Sequence, residues 1–163
     1  MQRIKTLTTA TAQGKAKDLL EGAKKAMGKE LNIFGAMSNA PAALEGLLGL
    51  VGALGKGKLA PALREQLALV TAGANTCDYC ASAHTYLAEK AGVAADERTA
   101  NLKGKSADAK TQSALTFASQ LVEKRGGVSE ADLKAVRDAG FSDEEVVEIL
   151  AHVALNTFTN YFN

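Results

Sequence analysis

Residues 64–92 read REQLALVTAGANTCDYCASAHTYLAEKAG. This stretch contains both cysteines of the chain, Cys77 and Cys80, together with His84 and the acidic residue Glu65. The spacing is C-x-x-C-x-x-x-H, and Glu65 precedes the first cysteine by twelve residues. If the stretch is helical, the two thiols and the imidazole recur at steps of three and four and share one face. The pattern predicts a half-buried redox site on one face of a helix.

The composition favours closely packed helices. The chain has 163 residues, 47% of them apolar and only 5% aromatic, with 15 glycines and 2 prolines. Helical apolar periods dominate, and no stretch shows a convincing strand pattern. We therefore predict a single all-α domain over 1–163, a compact multi-helix array built around an antiparallel helix pair that carries the C-x-x-C site.

Helix boundaries follow from caps and breakers. A short apolar turn is expected at 31–37, and helices are expected at about 11–27, 41–55, 61–75, 77–92, 94–101, 106–125, 129–140 and from 142 to near residue 163. The expected N-caps are Asn39, Asn75 or Thr76, Ser106, Ser129 and Ser142.

Two helices carry distinctive patterns. Four glycines recur three residues apart at Gly46, Gly49, Gly52 and Gly55, which favours close approach of another backbone over a ligand tunnel. The last helix has an apolar stripe beside His152, which we interpret as a core or helix-terminal residue; the stripe comprises Val146, Ile149, Leu150, Val153, Thr157 and Tyr161.

A C-x-x-C pair at a helix start suits thiol chemistry. The thiolate is the nucleophile, and the free N–H groups and dipole of a helix N-terminus stabilise negative charge. Cys77 lies at the free end and Cys80 one turn further in, so the two sulfurs can also form a disulfide.

A proton relay is the second element of this interpretation. His84 lies one turn beyond Cys80, within reach directly or through water. If the chain reverses near Asn75, antiparallel helices bring Glu65 level with His84, on the order of 15 Å from the turn. Glu65, His84 and Cys80 would then form a relay.

Other interpretations use the same residues. Glu65 alone is favourable in a helix's first turn, and His84 alone is compatible with a packed histidine. Cysteines, histidine and glutamate could instead hold zinc, although structural zinc usually takes a second C-x-x-C or H-x-H pair. The combined spacing favours redox chemistry, with no metal or cofactor.

Charge and cysteine usage limit the compartment and partners. Nineteen basic and 18 acidic residues give a net charge of +1 without a basic patch, so nucleic acid is not implied. The most apolar segment, about 41–55, contains Glu45 and is too short to span a bilayer. Two cysteines three residues apart suit a reducing compartment, and we predict a cytoplasmic protein.

These residues resemble a known family. The pattern of Glu65, Cys77-Asp78-Tyr79-Cys80 and His84 is similar to the alkylhydroperoxidase D-like branch of the carboxymuconolactone decarboxylase family, most strongly over about 44–92. Residues 154–162, ALNTFTNYF, also resemble its peroxidase-related members. One difference is that the characterised peroxidase has a histidine where this chain has Tyr79.

The resemblance implies specific roles. Cys80 would be the peroxidatic cysteine that reduces a hydroperoxide, and Cys77 would resolve it as a disulfide. Glu65 and His84 would match the family's proton relay. It further implies a trimer or hexamer, and a lipoylated or thioredoxin-like protein as reductant. Decarboxylation is disfavoured because the name-giving decarboxylases lack the cysteine pair.

The sequence thus predicts a thiol-dependent peroxidase or disulfide oxidoreductase. The alternative is a non-enzymatic redox sensor or scaffold whose disulfide alters assembly, and a metal-binding helical protein is a third interpretation.

Overall fold

The computed structural model describes residues 3–163, and its regular secondary structure there is entirely helical. Within this range nine helices follow one another: α1 (Gly14–Met27), α2 (Asn32–Met37), α3 (Pro41–Leu54), α4 (Pro61–Ala74), α5 (Asp78–Lys90), α6 (Ala95–Asn101), α7 (Ala109–Glu123), α8 (Glu130–Asp138) and α9 (Asp143–Phe162). The predicted all-α class is confirmed. Met1 and Gln2, the start of the predicted 1–163 domain, lie outside the described residues.

The chain divides into two units, one ending at Ala53 and the other running from Leu54 to Asn163. The boundary falls at the end of α3, and all four predicted site residues belong to the second unit. The prediction of one domain over the whole chain stays a prediction.

In the first unit an irregular arm precedes α1 and contacts α2. The backbone N–H of Leu7 donates to the carbonyl of Gly35 at 3.0 Å, and a Cβ atom at Gly35 would lie only 2.3 Å from the carbonyl oxygen of Leu7. A glycine is therefore required where the arm crosses α2. The predicted turn at 31–37 is instead the short helix α2.

The helix starts of this unit differ from the prediction. The first helix begins at Gly14 rather than near Thr11, because Thr11 closes a turn in which its hydroxyl accepts from the N–H of Thr8 at 2.9 Å. Asn39 does not cap α3. Its side-chain amide donates instead to the carbonyls of Lys5 and Ala36, at 2.7 and 2.8 Å, and so ties the arm to the end of α2.

The second unit is organised around α4. Every residue from Gln66 to Ala72 is buried, as expected for the central helix predicted from its nearly continuous apolar run. Helices α5, α6, α7 and α9 all pack against α4. The largest core cluster joins α4 to α7, α8 and α9, with Leu67, Leu115, Val136 and Ile149 fully buried at its centre.

Helices α4 and α5 form an antiparallel hairpin. Ala72, near the end of α4, packs against Cys77 and Cys80 at the start of α5, whereas Leu69, one turn earlier in α4, packs against Ala88 near the end of α5. Between the helices Asn75 ends α4, and Thr76 adopts a left-handed conformation with φ of 54°. This is the predicted reversal of the chain.

In the second unit, two predicted caps are confirmed and two are wrong. Ser129 and Ser142 both form complete capping boxes, at the starts of α8 and α9. At α7 the cap is Asp108 rather than Ser106, because the Asp108 carboxylate accepts from the N–H of Thr111 at 2.8 Å. The cap of α5 is Cys77 itself rather than Asn75 or Thr76.

The glycines of α3 do not mark close packing. An ideal Cβ at Gly46, Gly49 or Gly52 would meet nothing within 4 Å among the residues that the structure describes. The close approach occurs instead at Gly73 in α4, where a Cβ would lie 1.9 Å from the carbonyl oxygen of Leu102. The pattern in α3 was therefore interpreted wrongly, and the single glycine of α4 is the constrained one.

The buried face of α9 is also rotated from the predicted stripe. Val146, Ile149 and Val153 are buried as expected, but Leu150 and Tyr161 are 49% and 77% exposed. The buried face continues instead through polar residues, namely His152, Asn156 and Asn160. It does so because the end of α9 packs beside the polar turn of the hairpin, where Asn160 bonds Asn75.

Across residues 3–163, the structure contains no helix with the length and apolarity needed to cross a membrane.

Substituting Gly73 tests the close approach to Leu102. Gly73→Ala is expected to destabilise the protein by about 1–3 kcal/mol or more. The added carbon would overlap the backbone carbonyl of Leu102, which cannot move away as a flexible side chain could. Gly49→Ala is the matched control, and it is expected to stabilise by about 0.5–1 kcal/mol, since the site is an open helix interior. Urea denaturation of both variants checks this, and equal effects of the two substitutions would contradict the assignment.

Candidate active site

The two cysteines occupy the first turn of α5. Cys77 is the N-cap, and its sulfur accepts a hydrogen bond from the backbone N–H of Cys80 at 3.3 Å. The two residues are joined as a disulfide, with their Cα atoms 5.3 Å apart. Both are buried, Cys77 at 9% exposure and Cys80 at 4%. The outer cysteine therefore sits at the helix end and the inner one beneath it.

The geometry of this turn favours negative charge on sulfur. The N–H groups of a helix's first turn have no partners within the helix, and the helix dipole adds positive potential there. One of those N–H groups, that of Cys80, already points at the sulfur of Cys77. A thiolate formed by opening the disulfide would be stabilised by these groups.

Glu65 and His84 meet across the hairpin. The Nδ1 atom of His84 lies 2.8 Å from Oε2 of Glu65, joining α5 to α4 about three turns from the reversal at Asn75. A carboxylate only accepts hydrogen bonds, so Nδ1 of His84 carries the proton and donates it. This arrangement directs the other ring nitrogen of His84, Nε2, away from Glu65.

This pair is partly open to solvent. The Glu65 and His84 side chains are 23% and 22% exposed. A proton can therefore pass between the pair and bulk water, while the sulfurs stay covered. Within residues 3–163 no direct hydrogen bond joins His84 to Cys80, which stand one helical turn apart on α5.

The sulfur of Cys80 has a partner that the sequence did not indicate. The side-chain amide of Asn163, which caps the end of α9, donates to Sγ of Cys80 at 3.4 Å. Asn163 was missed because 83 residues separate it from Cys80, and no local spacing connects them. The available signal was the recurrence of asparagine at 156, 160 and 163, which lies on one face of a helix.

Tyr79 and Asp78, between the cysteines, face outward. Tyr79 is 54% exposed.

His152 is buried in the middle of α9, in keeping with its interpretation as a core residue. Its Nε2 atom is buried and has no hydrogen-bond partner among the described residues. Burial lowers the pKa of His152 below its usual 6.5, and the positive charge of Arg64 lowers this pKa further, against the opposing effects of Glu148 and Glu65.

Metal binding has no obvious ligand set here. In the part of the chain from residue 3 to 163, no group of three or more histidine, cysteine, aspartate or glutamate side chains is arranged to hold a metal ion.

The sequence around this site and the fold of the chain are both similar to known proteins. Residues 39–103 match the carboxymuconolactone decarboxylase family, and this segment contains both cysteines, Glu65 and His84. A crystal structure of an alkylhydroperoxidase AhpD core, an uncharacterized peroxidase-related protein from Ralstonia eutropha JMP134, is similar with a TM-score of 0.83 and 26% sequence identity, over 98% of this chain and 86% of its own. The alkylhydroperoxidase D-like resemblance is confirmed.

Two further structures share the alkylhydroperoxidase D-like fold. An uncharacterized peroxidase-related protein from Silicibacter sp. TM1040 gives a TM-score of 0.81 at 22% identity, over 98% of this chain and 90% of that one. The apo debrominase Bmp8 gives 0.82 at 20% identity, over 100% and 89%. Among curated proteins, none matches the sequence significantly.

The buried His152 predicts a pH dependence of stability. Folding lowers the pKa of His152 below 6.5. At pH values between the lowered pKa of the folded protein and 6.5, the unfolded chain therefore binds more protons than the folded one. As far as His152 is concerned, the free energy of unfolding is highest above pH 6.5 and falls as the pH drops below 6.5. His152→Leu, which has no titrating group, should lose less stability between pH 7.5 and pH 5 than the wild type.

Urea denaturation at both pH values measures the difference, and subtracting the variant removes the contribution of the carboxylates. Identical pH profiles for wild type and His152→Leu would show that the burial of His152 does not influence its titration.

Proposed function

We propose that this protein is a thiol-dependent peroxidase or disulfide oxidoreductase that reduces hydroperoxides through Cys77 and Cys80. The observation that carries the proposal is the 2.8 Å hydrogen bond between Glu65 and His84, on the same hairpin whose turn holds the cysteine pair. The carboxylate of Glu65 reaches His84 from the facing helix, one turn beyond the cysteine pair, where a proton relay to Cys80 would need it. The family match and the peroxidase-related neighbour support the same chemistry.

In the first step the Cys80 thiolate attacks the hydroperoxide ROOH. A bond forms between Sγ of Cys80 and the distal oxygen, and the O–O bond breaks. The alkoxide takes up one proton and leaves as the alcohol ROH, so the peroxide gains two electrons and Cys80 becomes a sulfenic acid.

His84 and Glu65 manage the protons of this step. His84 removes the thiol proton of Cys80, directly or through a water molecule, and returns it to the departing alkoxide. Glu65 orients the imidazole through Nδ1 and stabilises its protonated form. Glu65 is thus a positioning residue, and His84 transfers the proton.

In the second step Cys77 resolves the intermediate. Its thiol attacks the sulfur of the Cys80 sulfenic acid, a disulfide forms, and the hydroxyl leaves as water with the thiol proton. The Cα separation of 5.3 Å lies in the range that a disulfide needs, so the backbone does not have to move.

The cycle closes with an external dithiol as reductant. Two thiols of a lipoylated or thioredoxin-like protein supply two electrons and two protons, reopening the Cys77–Cys80 disulfide by exchange. Cys77 is the outer cysteine at the helix end and is the more accessible of the two, so we assign it as the point of attack. No cofactor takes part, and a cytoplasmic, reducing compartment suits the cycle.

Three variants test the roles. Cys80→Ser should abolish turnover of tert-butyl hydroperoxide with dihydrolipoamide as reductant, because the attacking sulfur is lost. Cys77→Ser cannot form the internal disulfide, so its turnover should fall to the rate at which dihydrolipoamide reduces the buried Cys80 sulfenic acid directly. Glu65→Gln should lower kcat/KM on the order of 10²-fold, near the lower end of general acid–base effects.

Glu89→Gln is the matched control for Glu65→Gln. Glu89 lies on the same hairpin, faces Arg98 and is well exposed, so its substitution should leave turnover unchanged. A folded Cys80→Ser protein that still consumes peroxide catalytically would disprove the mechanism.

We also propose that the chain forms a homo-oligomer. Helix α9 exposes an apolar stripe at i, i+3, i+11 and i+14, formed by Val147, Leu150, Phe158 and Tyr161. A continuous exposed stripe of this kind on a helix is typical of a contact with another chain. A trimer or hexamer is the assembly that the family resemblance implies, and a second copy is the occupant we assign to the stripe.

Light scattering after gel filtration tests the assembly. The wild type is expected to elute as a trimer or hexamer, and Leu150→Glu with Phe158→Glu should shift it toward monomer, because two charges would be buried at the contact. A monomeric wild type would exclude the proposal.

The same measurement on oxidised and reduced protein separates the enzyme from the alternative, a redox sensor or scaffold. An enzyme is expected to have the same oligomer mass when oxidised and when reduced, and to turn over peroxide. A sensor shows negligible turnover and changes its mass on oxidation.

A further inference from the structure

We propose that Asn163 is the hydrogen-bond donor that holds the reduced Cys80 sulfur as a thiolate. The inference rests on the proposed function only in taking Cys80 as the reacting sulfur. Its basis is the 3.4 Å contact from the side-chain amide of Asn163 to Sγ of Cys80. No comparison with known proteins assigns Asn163 a role, and the sequence pattern around the cysteines does not include it.

The orientation of the amide follows from its second hydrogen bond. The same nitrogen of Asn163 lies 2.9 Å from the backbone carbonyl of Thr159, one turn earlier in α9. A side-chain amide nitrogen has two N–H donors, so one can be given to Thr159 and the other to the sulfur. The reversed amide would place two oxygens in contact, which excludes it. Asn163 therefore presents a donor, not an acceptor, to Cys80.

A donor matters at this position because Cys80 is buried. With 4% of its surface exposed, Cys80 has little access to water that could solvate a negative charge. Burial alone disfavours a thiolate, and a hydrogen bond given to the charged form favours it. The N–H of Cys80 at the start of α5 bonds the sulfur of Cys77, whereas the amide of Asn163 donates directly to the sulfur of Cys80.

Asn160 sets the position of this donor. Its Oδ1 accepts a hydrogen bond from the amide of Asn75 at 3.0 Å, and Asn75 is the C-cap of α4, two residues before Cys77. The bond fixes the last turn of α9 against the turn that carries the cysteines. Asn163 follows Asn160 by three residues on the same helix face, so the sulfur lies within its reach. Asn160 is a positioning residue in this scheme.

The test uses a protein with one thiol. In a Cys77→Ser background Cys80 is the only cysteine of the chain, so its alkylation by iodoacetamide reports its thiolate fraction. The rate is measured from pH 5 to pH 10. Adding Asn163→Ala should move the midpoint of the rate profile upward by about one pH unit, a tenfold loss of thiolate at a fixed pH below the midpoint.

Asn163→Asp distinguishes charge stabilisation from packing. It has nearly the same shape as asparagine but places a negative oxygen at the sulfur, so its profile should move further upward than that of Asn163→Ala. A purely structural role predicts no shift for the isosteric Asp variant. Circular dichroism melting verifies that each variant is folded.

Two further variants control the experiment. Asn156→Ala removes the same amide from the same helix face, but Asn156 bonds the carbonyl of His152 and not the sulfur, so the profile should stay in place. Asn160→Ala should shift the profile, and adding it to Asn163→Ala should shift it no further, because Asn160 acts through Asn163.

Unchanged midpoints in Asn163→Ala and Asn163→Asp would overturn the inference. Alkylation requires neither peroxide nor reductant, so the two proposals fail separately. A shifted profile in a protein without peroxidase turnover would refute the proposed function and leave the role of Asn163 intact.

Discussion

Burial of α4 on nearly all sides is the constraint on which the second unit depends. Seven consecutive residues, Gln66 to Ala72, lie in the core, so α4 has no freedom to rotate or slide without exposing apolar surface. The two ends of this fixed helix carry the polar groups of the site. Glu65 precedes the buried run and meets His84, whereas Asn75 follows it and meets Asn160. The core thereby holds the Glu65–His84 pair and the cysteine turn at a fixed separation.

The two cysteines of the site are buried, whereas the side chains of Glu65 and His84 are partly exposed to solvent. Cys80 is covered by Ala72 and the end of α9, while Glu65 and His84 remain about one quarter exposed. A covered sulfur is protected from unspecific oxidants, and a partly solvated imidazole can exchange protons without a conformational change. This difference in solvent exposure follows from the antiparallel hairpin, because the cysteines lie at its turn and the Glu65–His84 pair lies further along the two helices.

Much of this arrangement follows from the sequence, because it depends on local rules. The hairpin and the register that joins Glu65 to His84 come from helical period and one chain reversal, and the capping boxes at Ser129 and Ser142 are encoded within four residues. The wrong predictions have separate origins. Asn39 and Ser106 were plausible caps, but tertiary contacts engage the first, and Asp108 lies closer to the start of α7 than the second. Asn163 could not be predicted, because its contact depends on where the end of α9 packs.

Because Cys77 is the N-cap of α5, its redox state affects how firmly the first turn of this helix is held. Its sulfur accepts the N–H of Cys80, and that bond closes the first turn of α5. A thiolate is a much stronger acceptor than a disulfide sulfur, since it carries a full negative charge. Ionisation of a reduced Cys77 would therefore hold the first turn of α5 more firmly than the disulfide does. The outer surface of that turn, which bears the exposed Tyr79, then differs in rigidity between the disulfide and the reduced, ionised form.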